Sequence, residues 1–175
     1  MSSKYKFRDQ DTVYLITFSV VHWIDVFIRN EYKTILLDSW GYCMKHKSLD
    51  IYAWCIMTSH VHMIIGSHQK LDAIMHDMKI YTSKSMRNAI LSNQQESRKD
   101  WMMSLLNQNN RFQFWQNGSH PIALTTPSLF RQKLDYIHDN PVAAGFVEAP
   151  ENYLYSSARD YHGRKGLIDI KMYHL

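Results

Sequence analysis

Most side chains from residue 13 to residue 20 are β-branched or aromatic, a run that predicts one strand buried on at least one face. Apolar positions then switch to helical spacing. Leu36, Trp40, Cys43, Met44 and Lys47 recur along one stripe of Glu31–Lys47, with Asn30 as the expected cap and a basic end that suits the helix dipole. Two β-rich runs follow, Leu49–Met57 and His60–Gly66, and the intervening Thr58 and Ser59 predict an antiparallel hairpin. Leu71, Met75, Met78, Thr82, Met86 and Ala89 mark one face of a second long helix, whose opposite side carries Lys79, Lys84 and Arg87. The order to this point is βαββα.

Periodicity fades over Ser92–Asn110, which reads as an irregular insertion or loop. Arg111–Gln116 and Ser119–Leu124 flank Asn117-Gly118, the dipeptide most favourable for a type I′ turn, and so predict a second strand pair. Thr126 before Pro127 is a helix start, since the hydroxyl caps free amides and a proline in the first turn loses no needed hydrogen bond. Pro141 disfavours helical geometry at Asn140, so this helix is expected to end there. Beyond it only Leu167–Tyr173 has strand character. The sum is an α+β fold, a mainly antiparallel sheet with helices packed on it, in one domain spanning residues 1–175.

Composition narrows the classes without choosing among them. With 45% hydrophobic and 21% charged residues the chain is neither fibrous nor disordered in balance. No apolar stretch approaches the roughly 20 residues of a membrane span. Met1–Gln10 is polar and lacks the form of a secretion signal, so a cytoplasmic location is expected. Cys43 and Cys55 fit neither a disulfide framework nor a zinc ribbon and read as reduced core residues. A net charge of +4 helps a polyanion approach but is common in proteins that never bind one.

The chemistry-bearing residues lie on the hairpin and on the helix after Thr126. Alternate residues of a strand share a face, so His60 and His62 point the same way with Cα atoms about 7 Å apart, near enough for both imidazoles to hold one ion. Val61, Met63 and Ile65 turn to the other face and anchor the strand. The plain alternative is two hydrogen-bonded histidines at a sheet edge. On the helix, Leu129, Phe130, Leu134 and Ile137 form an apolar arc at about 100° per residue. Tyr136 and Asn140 stack at its border with Lys133 one turn earlier, while His138 lies roughly opposite and is set aside as a ligand. A tyrosine there can simply be packing, and an asparagine before proline a helix terminator.

Met57-Thr58-Ser59-His60-Val61-His62 resembles the histidine–hydrophobic–histidine signature of single-tyrosine HUH transposases, the IS200-like family. Tyr136 through Gly145, Tyr-Ile-His-Asp-Asn-Pro-Val-Ala-Ala-Gly, resembles the nucleophile helix and following turn of the REP-associated branch. The likeness extends to Phe114-Trp115-Gln116 and Tyr155-Ser156-Ser157-Ala158. It implies a ferredoxin-like (RRM-like) sheet, the palm of an HUH endonuclease. It implies Tyr136 as the nucleophile on a DNA phosphodiester and His60, His62 and Asn140 as ligands of Mg²⁺ or Mn²⁺. Relatives of the insertion-sequence type carry glutamine where this chain has Asn140, so the shorter amide is expected to reach the ion through water. The implied partner is single-stranded DNA with hairpin or repeat sequences, bound by a monomer or a homodimer, with no membrane role.

Candidate strand-binding residues are Lys79, Lys84 and Arg87 on the second helix, Lys133 beside the tyrosine, and Arg159, Arg164 and Lys165 near the end. Two other readings stay open. One is a non-catalytic nucleic-acid-binding module on a ferredoxin-like sheet, which leaves the histidines and Asn140 unexplained. The other is a small metal-dependent hydrolase, which uses the histidines but needs no tyrosine.

Overall fold

A computed structural model describes residues 7, 9, 11–108, 111–118 and 120–173; most of Met1–Gln10 and the ends of two predicted segments, Asn109, Asn110 and Ser119, lie outside these. The first apolar run forms β1 (Tyr14–Ser19), and the two runs around Thr58-Ser59 form β2 (Leu49–Ile56) and β3 (His60–Ser67). β3 pairs antiparallel with both β1 and β2, and a two-residue strand, β6 (Ile122–Ala123), pairs with the outer edge of β1. The order β2-β3-β1-β6, antiparallel throughout, is that of a ferredoxin-like sheet.

Each face of this sheet has its own cover, and the alternation of side chains decides which. Phe18, Ile16, Val61, Met63, Trp54 and Ile56 belong to the larger core, closed by the apolar stripes of α1 (Asn30–His46) and α2 (Leu71–Ser92). Leu15, Ala53, Cys55 and Ile64 point to the opposite face, where Phe130, Leu134 and Ile137 of α4 (Pro127–Ala143) pack on them. Burial of each such side chain contributes about 1.5–3 kcal/mol, so α4 is firmly seated on the histidine face. Both cysteines are buried and free, and burial pushes the Cys55 thiol up to about 12.

Several predicted boundaries shift for identifiable reasons. Asn30 is the first residue of α1 and caps nothing; its side-chain oxygen accepts from Lys33. The Ser92–Asn110 stretch is not irregular throughout, because Lys99–Leu106 forms α3 with Met102 and Leu106 in the core. Eight residues with two buried positions are too few to show a period. After it, β4 (Asn107–Gln108) pairs with β5 (Arg111–Phe112).

Among the described residues, the runs around Asn117-Gly118 do not pair with each other. Trp115 bridges Val20 and Gln116 donates its backbone N–H to Ser19, while Ile122 and Ala123 pair with Leu15 and Tyr14. The open edge of a buried strand outcompetes an isolated two-stranded ribbon, which is marginal in water. Gly118 still supplies the positive φ that the turn requires, at 79°.

α4 takes its N-terminus from Thr126, whose hydroxyl accepts from the Leu129 amide at 3.2 Å, as predicted. It does not stop at Asn140. Pro141 costs the helix only the bond to the carbonyl four residues back, and one more turn follows to a Schellman end. Phe146 donates to the Pro141 carbonyl and Gly145 (φ 75°) to that of Val142.

Leu167–Tyr173 is not a strand. The C-terminal segment instead seals the outer edge of β2, with Ile56, Trp54 and Ile51 exchanging backbone bonds with Tyr155, Ser157 and Lys171. A short helix, α5 (Ala158–Tyr161), sits within that segment. Among the described residues no helix is long and apolar enough to cross a membrane.

Candidate active site

His60 and His62 open β3 on the face that α4 covers, with ring centroids 4.9 Å apart. His62 is only 4% exposed. Thr17 lies opposite it in the β1–β3 register, and the Thr17 hydroxyl is 2.8 Å from His62 Nδ1. The tautomer in which Nδ1–H donates to that hydroxyl leaves a lone pair on Nε2, a buried atom with no hydrogen-bond partner among the described residues. Burial, reinforced by His60, pulls the His62 imidazole down to about 3, so at neutral pH it is the uncharged form that ligates metals. His60 is half-buried, with Nδ1 3.3 Å from the Ser59 hydroxyl. Burial lowers its pKa too, against the opposing charge of Asp25.

Tyr136 projects from the border of the α4 stripe and places its ring edge-on to His62, centroids 5.3 Å apart. Half of this residue remains open to solvent, at 50% exposure. Asn140 follows one turn later; its amide nitrogen donates to the Tyr136 carbonyl at 2.8 Å, so the amide oxygen is the atom available to a ligand. The Lys133 ammonium stands 5.9 Å from the Tyr136 ring centroid. His138 is buried away from the pair, its Nε2 2.9 Å from the Ser157 hydroxyl. Among the described residues no three His, Cys, Asp or Glu side chains gather as a potential metal cluster; the candidate set is two imidazoles and an amide.

Two neighbours of the pair were missed in the sequence. Thr17 carried a readable signal, as a polar residue on the strand face shared with Leu15. Trp23 carried none. It stacks edge-on against His60 at 5.4 Å and is 56% exposed. It and His22 hold positive φ angles of 55° and 57° with no glycine or asparagine to announce them.

The predicted strand-binding residues fall into two groups. Lys79, Lys84 and Arg87 line an open groove of about 460 Å³ between α2 and the Phe112–Gly118 segment, together with Trp115 and Gln116. Lys79 is partly committed there, its ammonium 4.5 Å from the Phe18 ring centroid and its pKa lowered by burial. Arg159, Arg164 and Lys165 lie elsewhere, on and after α5, and do not line this groove. Arg159 has a buried Nε without a hydrogen-bond partner among the described residues, and Arg164 donates to Asn152 at 3.5 Å.

The sequence profile described as "Transposase IS200 like" matches residues 13–118, a stretch that contains both histidines and stops before α4. Among solved structures, the chain is similar to a REP-associated tyrosine transposase bound to a REP hairpin, with TM-score 0.69 and 16% identity over 99% of this chain and 95% of that one. At that identity the likeness is one of fold. It is also similar to a putative transposase from Deinococcus radiodurans R1, with TM-score 0.46 and 15% identity over 79% of this chain and 97% of that one. No curated protein sequence matches.

Proposed function

The chain belongs to the IS200-like transposase family, and from that premise we propose that it is a single-strand DNA endonuclease and strand transferase of the REP-associated kind, with Tyr136 as nucleophile. The observation that carries this reading is the Tyr136 ring against His62, on the one face of the sheet that also holds His60.

In the proposed step the Tyr136 oxygen bonds to the phosphorus of a DNA phosphodiester as the bond to the 3′ oxygen breaks. The phenolic proton passes to water, and the departing 3′ oxygen takes up a proton to become a hydroxyl. The product is a 5′-phosphotyrosine. Because that linkage is still an ester, a 3′-hydroxyl can reverse the attack without another energy source, and cutting and joining share one site. Half-exposure of Tyr136 leaves room for a strand to reach it, and the Lys133 ammonium is near enough to attract the phosphate.

His60, His62 and the Asn140 amide oxygen would hold Mg²⁺ or Mn²⁺, the amide through water. His62 fits that task, since it offers a buried nitrogen with no hydrogen-bond partner among the described residues and a second nitrogen braced by Thr17. When bound, such an ion neutralises charge that builds on the scissile phosphate. The proposed substrate is a hairpin or repeat in single-stranded DNA, a reading supported by the REP hairpin in the neighbouring structure. The basic groove of Lys79, Lys84 and Arg87 would follow the strand's phosphates, in a monomer or a homodimer.

The test is a hairpin oligonucleotide labelled at either end and incubated with Mn²⁺. A covalent protein–DNA band is expected in the wild type and absent from Tyr136→Phe and from chelator-treated protein. A band that survives Tyr136→Phe removes the nucleophile assignment. Binding without any band supports a non-catalytic module instead, and nucleotide release without a band supports a hydrolase.

A further inference from the structure

Val20 and Trp115 close the end of β1, and the chain then turns through a 3₁₀ segment, Val21–Trp23. Two consecutive residues there, His22 and Trp23, sit in the left-handed region, where a Cβ is unfavourable. Strain of this kind persists only where its surroundings enforce it. The enforcement is visible. Val21 and Ile24 are buried on either side, the His22 ring meets the Gln108 amide at 3.0 Å, and the Asp25 carbonyl accepts from Arg98 at 3.0 Å. The outcome is an indole that is 56% exposed and stands edge-on to His60, 5.4 Å between centroids. A large apolar ring left open to water beside the His60 imidazole has little packing to gain from such a costly backbone.

We infer that Trp23 is a stacking platform for an unpaired base of the bound strand, beside the phosphate that Tyr136 attacks. The inference rests on the nuclease reading above for the position of that phosphate. Its chemistry is general: every base has a π face, so a stacked indole orients a nucleotide without reading its identity. A base held on Trp23 would bring the adjoining phosphate to the histidine pair in one register.

The experiment measures binding of fluorescein-labelled dT15, and of a 15-mer with the same backbone but abasic at every position, in a Tyr136→Phe background with Mn²⁺. Parent protein is expected to prefer dT15. Trp23→Ala and Trp23→Leu are expected to weaken dT15 by roughly ten-fold, leave the abasic strand unchanged, and be rescued largely by Trp23→Tyr. The leucine variant separates stacking from a purely structural role, because it keeps apolar packing against His60 but has no π face. Unchanged dT15 affinity in Trp23→Ala, an equal loss on both strands, or recovery by leucine would each overturn the inference. Loss of the nuclease reading shows separately, as the absence of a covalent band from protein that retains Tyr136, while base-dependent binding at Trp23 persists in the Tyr136→Phe background.

Discussion

The contact between Thr17 and His62 shows how much of a site can rest on one hydroxyl. A strand places the two residues opposite each other, and the 2.8 Å contact with Nδ1 braces the ring; in the tautomer where Nδ1–H donates to the hydroxyl, the buried Nε2 carries the lone pair a metal takes. Thr17→Val keeps the β-branched shape and removes the oxygen. We expect Mn²⁺ affinity, measured by calorimetric titration, to fall about ten- to a hundred-fold with the chain still folded. Unaltered affinity would show that Thr17 does not orient the ligand. Strand alternation made the shared face of His60 and His62 legible in the sequence, and Thr17 could have been found by extending the same rule to β1. Trp23 could not, because its backbone conformation is imposed by Val21, Ile24 and the segment around Arg98 and Gln108.

At the scale of elements, α4 depends on how its two ends are managed. Thr126 and Pro127 start it, and Gly145 ends it with a φ of 75° after the proline has been absorbed. Gly145→Ala meets no neighbour within 4 Å, so its cost is the backbone alone. That is about 1–2 kcal/mol, or a thermal midpoint about 2–8 °C lower at this chain length, with the adduct proposed at Tyr136 still formed. The segment before α3 has a different anchor. The Glu96 carboxylate accepts from Arg98 Nε and Nη2, both at 3.0 Å, and from Arg29 Nε at 2.9 Å. These bonds, those from Arg98 foremost, lower its pKa from 4.5 to about 2. A carboxylate with a depressed folded-state value stabilises fully above its unfolded pKa and loses that contribution as pH falls through the folded one. Urea unfolding of the wild type should therefore lose about 3 kcal/mol across that window. Glu96→Gln should lack this part of the acid slope; an identical slope in both would remove the assignment.

Over the whole molecule, the sheet divides the labour, with α1, α2 and most of the apolar mass on one face and α4 with the histidines on the other. The groove of Lys79, Lys84 and Arg87 lies along α2, so on the proposed path a strand running from it to Tyr136 would pass the β1 edge near Gln116. Lys84→Ala with Arg87→Ala should flatten the salt dependence of single-strand binding by about 0.7 in logarithmic slope per removed cation. Slopes equal to the wild type would exclude the groove from the path. Strands β1, β2 and β3, the helices with long stripes, the histidine hairpin and the capped start of α4 were legible from the residues alone, because each is written in a local period or a turn residue. Tertiary structure alone decided the pairing of the runs around Asn117-Gly118 with β1, the formation of α3, the seal along β2 and the meeting of Tyr136 with His62. Each of those outcomes is a competition for the same buried surface or open strand edge between segments far apart in the chain, and no local pattern records which of them wins.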